Sequence, residues 1–180
     1  MSFERQEAHK VFEGKVFDVC EGRFRHADGK TETREWVAHP GAVGVVAHDG
    51  ERLWLVRQPR EAVGEPDLLE LPAGKLDEAG ESPLECGQRE LAEEIGKAAA
   101  SWELLTRYFS SAGFTDEEVH VYLATGLSDA PGQEIEGERI TLEPRPLAEL
   151  GAVIAECRDA KTLIGLLLLR AHLAERSPQT

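Results

Sequence analysis

The chain has 180 residues, of which 34 are acidic and 20 basic, and its formal net charge at pH 7 is -14. A chain of this length buries roughly 70% of its extended surface on folding, so we expect one soluble domain, with a small extension, that needs no disulfide staples. The acidic balance excludes an electrostatic grip on nucleic acid or on an anionic membrane, because both require clustered Lys and Arg.

The cysteines and the chain start predict a cytoplasmic protein. Cys20, Cys86 and Cys157 are far apart and form no C-x-x-C pair, which suits a reducing compartment better than a disulfide framework or a zinc site. Residues 1–10 are charged and contain no apolar signal core. The longest apolar run, residues 163–169, is much shorter than the ~20 residues of a membrane-spanning helix.

The first half of the chain is predicted to be rich in strands. Residues 11–37 form short strands with turns, because apolar and polar residues alternate and Asp28-Gly29 is typical of a hairpin. Residues 41–47 and 53–56 are apolar and β-branched and flank a polar turn, so they predict a buried hairpin.

A helix is predicted over residues 83–95. Ser82 is a suitable N-cap, Pro83 takes the first helical position, and Glu85 completes a capping box with Ser82. Gly96 can end the helix in a left-handed conformation. Both ends of the helix are therefore marked in the sequence.

The second half mixes strands and helices. We predict strands at residues 102–109 and 119–124, an acidic loop at 129–139 followed by a short strand, and helices at 147–156 and 160–174. Helices that follow strands indicate an α+β domain in α/β/α layers with a mixed sheet.

Carboxylates line one face of the helix at 83–95. Glu90 and Glu94 are four residues apart, away from the helix N-terminus, and like charges at this spacing repel each other by a few tenths of a kcal/mol. One explanation is a solvated acidic face, as in a generic acidic domain. The other is a site for Mg²⁺ or Mn²⁺, which prefer carboxylate oxygens, waters and phosphate oxygens as ligands.

The whole segment favours the metal site. It runs Gly74-Lys-Leu-Asp-Glu-Ala-Gly-Glu81, then seven residues, then Arg89-Glu-Leu-Ala-Glu-Glu-Ile-Gly96. This resembles the Nudix box, G-x5-E-x7-R-E-U-x-E-E-x-G-U, in which U is apolar. Two positions depart: six residues separate Gly74 from Glu81, and Lys97 replaces an apolar residue.

The flanking segments resemble the ADP-ribose pyrophosphatase branch of this family, and the resemblance covers about residues 11–172. It is carried by Leu69-Glu-Leu-Pro-Ala-Gly-Lys75, Val56-Arg-Gln-Pro-Arg60, His39-Pro-Gly-Ala-Val43 and Asp159-Ala-Lys-Thr162. One marker of the branch is missing, since Ala112 stands where a proline is usual in a Ser-Pro-Gly turn.

The resemblance implies the roles of the residues in the box. Glu90 and Glu94 become the main metal ligands, with the backbone carbonyl of Ala73 as a further ligand. Glu93 shares or positions a second ion and counts among the catalytic carboxylates. Arg89 bridges Glu93 and Glu81 and orients carboxylates instead of touching substrate.

The base that activates or orients the attacking water is expected in the acidic loop beyond the box. Glu138 matches the branch best and Glu136 second, although each carboxylate on its own is more often a solvated loop residue.

Four residues outside the box are expected to bind substrate. Arg57 and Arg60 suit phosphate oxygens, against the alternative of ordinary surface salt bridges. Trp36 suits stacking on a purine, and Glu70 belongs to the segment before the box. Trp54 is expected in the core.

The resemblance implies a Nudix fold, with residues 1–40 as a β-rich dimerisation section and residues 41–180 as the hydrolase domain. In this branch the N-terminal section exchanges between two subunits and helps to complete each nucleotide site, so we expect a homodimer. The implied reaction is Mg²⁺-dependent hydrolysis of ADP-ribose to AMP and ribose 5-phosphate. The alternatives are the same chemistry on another nucleoside diphosphate sugar, a dinucleotide or a flavin cofactor, and a binding module without turnover.

Overall fold

The computed structural model describes residues 2–130 and 139–176. In that part of the chain the strands and helices are β1 (Phe3–Glu13), β2 (Asp18–His26), β3 (Thr31–Ala38), β4 (Ala42–His48), β5 (Arg52–Arg60), β6 (Glu65–Glu70), β7 (Ala73–Lys75), α1 (Pro83–Ile95), β8 (Lys97–Phe109), β9 (Glu118–Asp129), β10 (Thr141–Pro146), α2 (Leu150–Glu156) and α3 (Ala160–Arg176). Short 3₁₀ turns precede β6 and α2.

The chain divides into two compact units. The first contains Met1–Gly41 and Phe109–Glu118. Its three strands form an antiparallel sheet in the order β1-β2-β3. Every residue of β1 is exposed, and this strand lies at the edge of the sheet.

The second unit, Ala42–Tyr108 with Val119–Thr180, is built on a mixed seven-stranded sheet. Its main path is β10-β5-β4-β9-β8, with β6 paired to β5 and β7 paired to β4. β4 and β9 are parallel, whereas β5 and β7 run antiparallel to their neighbours.

Alternate residues of β4 face opposite cores, because side chains alternate across a strand. Val43 and Val45 lie in a buried cluster with Leu91 and Ile95 of α1. Val46 lies in the other cluster, with Leu166 and Leu169 of α3. The sheet is therefore sandwiched between α1 on one face and α3 on the other.

Two helical glycines allow the helices to approach the sheet closely. A Cβ at Gly165 in α3 would lie 2.8 Å from side-chain atoms of Leu71 and of Val46. A Cβ at Gly87 in α1 would lie 3.2 Å from Val43. Glycine leaves out the atom that would hold the helix away from the sheet.

The predicted ends of α1 agree with the structure. Ser82 and Glu85 form both halves of the capping box, and Gly96 ends the helix in the left-handed region at φ 64°. Lys97 lies with its ammonium 4.5 Å from the centre of the Trp54 ring and 2.6 Å from Asp129. These contacts explain how a lysine is accommodated directly after the helix.

Some elements differ from the sequence prediction. The first strand begins at Phe3, well before residue 11, and β6 and β7 were not predicted at all. The predicted helix at 147–156 is a 3₁₀ turn followed by α2, and α3 continues to Arg176. No helix among the described residues is long and apolar enough to cross a membrane.

Candidate active site

The acidic face of α1 packs against the short strand β7. A Cβ on Gly74 would lie only 1.8 Å from Glu90 Oε1 and 2.1 Å from its Cδ, so the Glu90 carboxylate occupies the space that any other residue at position 74 would need. Glu90 is nearly buried, with 7% of its surface exposed. The glycine that opens the sequence motif therefore makes room for one of its glutamates.

Arg89 is the centre of a carboxylate cluster. Its Nε and Nη2 donate to the two oxygens of Glu81 at 2.9 and 3.0 Å. Its Nη1 donates to Glu90 Oε1 at 2.7 Å and to Glu93 Oε2 at 3.0 Å. One guanidinium thus orients three carboxylates, and the bond to Glu90 is one that the sequence did not suggest.

These contacts change the titration of the groups involved. The hydrogen bonds from Arg89 hold the pKa of the Glu81 carboxyl below its usual value, and the pKa of the Arg89 guanidinium is raised chiefly by the hydrogen bond to Glu81. Burial raises the pKa of the neighbouring Cys86 thiol to about 12, so this cysteine is protonated and unreactive at neutral pH.

The remaining glutamate of the pair, Glu94, is held by the first residue of β7. The Ala73 backbone N–H donates to Glu94 Oε2 at 3.0 Å, and Ala73 itself pairs with Gly44 of β4. The carboxylate of Glu94 and the backbone of Ala73 are therefore neighbours, as two ligands of one ion must be.

The donor set fits a hard divalent cation that keeps part of its water. No group of three or more His, Cys, Asp or Glu side chains in residues 2–130 and 139–176 is arranged to hold a metal ion by itself. Mg²⁺ is usually bound through only one or two carboxylates, with waters and substrate phosphate oxygens as further ligands. Glu90 and Glu94 with the Ala73 backbone meet that requirement, and a closed cage of protein ligands is not needed.

Glu136 and Glu138, the expected loop bases, lie outside the described residues. Arg57 forms a salt bridge with Glu156 at 2.6 Å and donates a hydrogen bond to the backbone carbonyl oxygen of Asp67 at 3.1 Å. The structure thus places Arg57 in the surface ion pairs that the sequence left open as its alternative.

Arg60 and Glu70 are partners. Arg60 Nε and Nη2 donate to the two oxygens of Glu70 at 2.6 and 2.8 Å. Glu70 is completely buried and also contacts Lys161, whereas the Arg60 side chain is 43% exposed. Of these two candidates for substrate binding, Arg60 is the one whose side chain is exposed and accessible to a substrate.

Trp36 and Ala112 both belong to the first unit. Trp36 packs edge-to-face on Phe24, with ring centres 6.1 Å apart, and lines a surface groove of about 450 Å³ beside β1. Ala112 lines a cavity of about 290 Å³ together with the phenyl rings of Phe3, Phe24 and Phe114. Trp54, in contrast, is 9% exposed and belongs to the core, as expected.

Residues at the start of α3 contact the segment that leads into the site, a role that was not predicted from the sequence. Asp159 accepts hydrogen bonds from the backbone N–H of Thr162 at 2.9 Å and from its hydroxyl at 2.6 Å. The Thr162 hydroxyl oxygen accepts in turn from the Leu71 N–H at 2.8 Å. The spacing Asp-x-x-Thr before an apolar helix was the available signal, because it is typical of an N-cap.

The NUDIX domain model matches residues 38–161, which is more than half of the chain. The chain belongs to the Nudix family. It is a Nudix hydrolase of mixed α+β fold, and its relatives support pyrophosphatase activity.

Two relatives align over most of their length. An ADP-ribose pyrophosphatase from Mycobacterium tuberculosis is 37% identical over 94% of this chain and 84% of that protein. A methanol dehydrogenase activator from Bacillus methanolicus is 38% identical over 92% of this chain and 91% of that protein. The crystal structure of an ADP compounds hydrolase superposes with a TM-score of 0.83 over 98% of this chain and 97% of that one, at 22% identity, and supports the fold.

Proposed function

We propose that this Nudix hydrolase cleaves the pyrophosphate of ADP-ribose and releases AMP and ribose 5-phosphate, with Mg²⁺ as its metal. The observation that carries the proposal is the arrangement on α1, in which Glu90 and Glu94 lie against the Ala73–Gly74 backbone while Arg89 orients the surrounding carboxylates. The similarity to an ADP-ribose pyrophosphatase along 94% of the chain supports this substrate.

Glu90, Glu94 and the Ala73 carbonyl would hold the metal, with Glu93 positioned for a second ion. Bound divalent cations neutralise charge that develops on a pyrophosphate and lower the pKa of a bound water. The chain itself contributes orientation: Arg89 fixes Glu81, Glu90 and Glu93 through charge-assisted hydrogen bonds. Glu138, or Glu136 in its place, is proposed to accept the proton of the attacking water. Mn²⁺ is a possible substitute for Mg²⁺ because it accepts the same oxygen ligands.

The direct test is to incubate the purified protein with ADP-ribose and Mg²⁺ and to quantify AMP by chromatography. We expect AMP and ribose 5-phosphate in equal amounts and no turnover with EDTA. The Glu94→Gln variant should lose activity by orders of magnitude and remain folded, as judged by circular dichroism. If wild-type protein releases no AMP but cleaves another nucleoside diphosphate compound, the substrate assignment is wrong.

The second candidate is the same reaction on another substrate. Ala112 replaces the proline usual in the ADP-ribose branch, and one relative of similar identity is a methanol dehydrogenase activator. A panel of ADP-ribose, other nucleoside diphosphate sugars, a dinucleotide and a flavin dinucleotide at equal concentration ranks these substrates by kcat/KM. ADP-ribose is expected to rank first.

We also propose a homodimer formed through the N-terminal section, residues 1–40, with residues 41–180 as the hydrolase domain. The exposure of β1 supports the proposed dimer. This edge strand is exposed along its whole length, and Phe12 and Phe17 are 56% and 43% exposed. Exposed edges and apolar patches favour association with another chain. Sedimentation equilibrium should give twice the monomer mass, and a Phe12→Glu variant should weaken the dimer. A cytoplasmic location is part of the proposal and is supported by three unpaired cysteines.

A further inference from the structure

Glu70 is a fully buried carboxylate at the end of β6. Its two oxygens accept a fork of hydrogen bonds from Arg60, and Lys161 of α3 contacts the same carboxylate. Burial opposes ionisation of Glu70, but the hydrogen bonds and charges of Arg60 and Lys161 outweigh it and keep the pKa of this carboxyl below its usual value. Glu70 is therefore a buried anion at neutral pH, clamped between two cations.

A buried ion pair of this kind contributes little net stability to a fold. Removing charges from water costs several kcal/mol per ion, and apolar residues of the same volume often serve a fold equally well. The network is also larger than one pair, because Lys161 lies 3.1 Å from Asp159, which caps α3. The arrangement is better explained by a side chain that it holds in place.

The group that it positions is the Arg60 guanidinium. The side chain is 43% exposed. Glu70 accepts hydrogen bonds from Nε and Nη2, so Nη1 takes no part in this pairing. Glu70, which holds this guanidinium, is three residues before Ala73, whose backbone N–H donates to Glu94 at 3.0 Å, so one short segment contacts both Arg60 and the acidic face of α1. A half-exposed guanidinium, fixed by its buried edge and near a metal-binding carboxylate, suits an incoming phosphate oxygen.

We infer that Glu70 is a positioning residue, which touches no substrate but fixes the guanidinium of Arg60 for one oxygen of the substrate's pyrophosphate. The inference rests on the proposed function and changes the role expected for Glu70 from substrate binding to support. Lys161 contacts Glu70 Oε2, one of the two oxygens that Arg60 contacts, and so helps to hold the carboxylate that fixes Arg60.

The test compares Glu70→Gln with Glu65→Gln by steady-state kinetics. Glu65 begins the same strand and pairs with the exposed Arg158, so its substitution removes a carboxylate of the same kind outside the site. Glu70→Gln should raise KM about tenfold to a hundredfold, the range typical of residues that orient a ligand, with a smaller change in kcat and an unchanged Mg²⁺ requirement. Glu65→Gln should leave KM within twofold of wild type.

A double-mutant cycle separates positioning from stability. If Glu70 acts through Arg60, Glu70→Gln adds nothing to KM in an Arg60→Lys background, because the geometry it protects has already been lost. Independent, multiplicative effects on KM would overturn the inference. So would a Glu70→Gln variant whose melting temperature falls while its KM matches that of Glu65→Gln.

The substrate for these assays is whichever compound of the panel the wild-type protein cleaves fastest. Failure of ADP-ribose in the panel contradicts the proposed substrate and leaves the Glu70 test intact, since all compounds of the panel contain a pyrophosphate. Equal KM values for Glu70→Gln and Glu65→Gln contradict the role of Glu70 and leave the substrate assignment intact.

Discussion

Replacement of Gly74 by alanine should disable the site by displacing a single carboxylate. The added methyl group would lie 1.8 Å from Glu90 Oε1, 2.1 Å from Cδ and 2.5 Å from Cγ, so three consecutive atoms of Glu90 overlap with it. Glu90 must then rotate away from β7. That movement breaks its 2.7 Å hydrogen bond with Arg89 and removes it from the position proposed for a metal ligand.

The size of the effect follows from the crowding. Overpacking of a well-filled site typically costs about 1–3 kcal/mol, which for a chain of this length corresponds to a fall of roughly 3–9 °C in melting temperature. Displacement of a metal ligand should cost more in function than in stability. We expect kcat/KM to fall by at least about a hundredfold and the Mg²⁺ concentration for half-maximal activity to rise about tenfold or more.

The assay is AMP release as a function of Mg²⁺ concentration, with melting temperature measured by calorimetry on the same samples. Gly44→Ala is the matched control, because its Cβ would meet only a Leu71 methyl group at an ordinary 3.7 Å although Gly44 pairs with Ala73. A Gly74→Ala variant that keeps the wild-type Mg²⁺ dependence and turnover would refute the placement of Glu90 in the metal site.

Four further substitutions probe neighbouring contacts. Arg89→Lys should lower kcat/KM by about ten- to a hundredfold in the AMP assay, because an ammonium lacks the fork that orients three carboxylates; equal activity would contradict that role. Thr162→Val should cost about 1–3 kcal/mol in urea unfolding, because it leaves the buried Leu71 N–H without its acceptor. Gly151→Ala should stabilise α2 by about 0.5–1 kcal/mol in the same assay, since its Cβ would meet nothing within 4 Å. The pKa of the Glu70 carboxyl is lowered in the folded protein, so its contribution to the free energy of unfolding is present above the unfolded pKa of about 4.3 and is lost as pH falls through the lower folded pKa. The free energy of unfolding of Glu70→Gln should therefore fall less over this pH range than that of the wild-type protein. A difference between the two proteins that stays constant over the range would contradict this.

The sequence predicted the bounds of α1 well because the relevant signals are local. The capping box at Ser82 and Glu85, the left-handed Gly96 and the apolar spacing all act within a few residues, and no tertiary contact overrides them. Arg89 was expected to bridge Glu81 and Glu93 from the family resemblance, and the structure places it there.

The features of the fold and of the site that were not predicted depend on contacts between segments far apart in the sequence. Glu70 and Lys161 are 91 residues apart, as are Leu71 and Thr162, so no periodicity in the sequence links them. β7 is only three residues long, too short for a strand pattern, and is defined by its pairing with β4. The start of β1, before residue 11, was not placed because its residues are mostly polar and all exposed, which leaves no apolar alternation to detect.

The charges around Arg89 give a physical reason for a divalent cation. Glu81, Glu90 and Glu93 all accept hydrogen bonds from this one guanidinium, and Glu94 adds another carboxylate one turn further along α1. A pyrophosphate brings more negative charge to a chain whose net charge is already -14. We therefore expect a pyrophosphate to bind at these carboxylates together with divalent cations, and we expect the dependence of KM on Mg²⁺ to be steeper than that of a site in which lysines and arginines surround the phosphates.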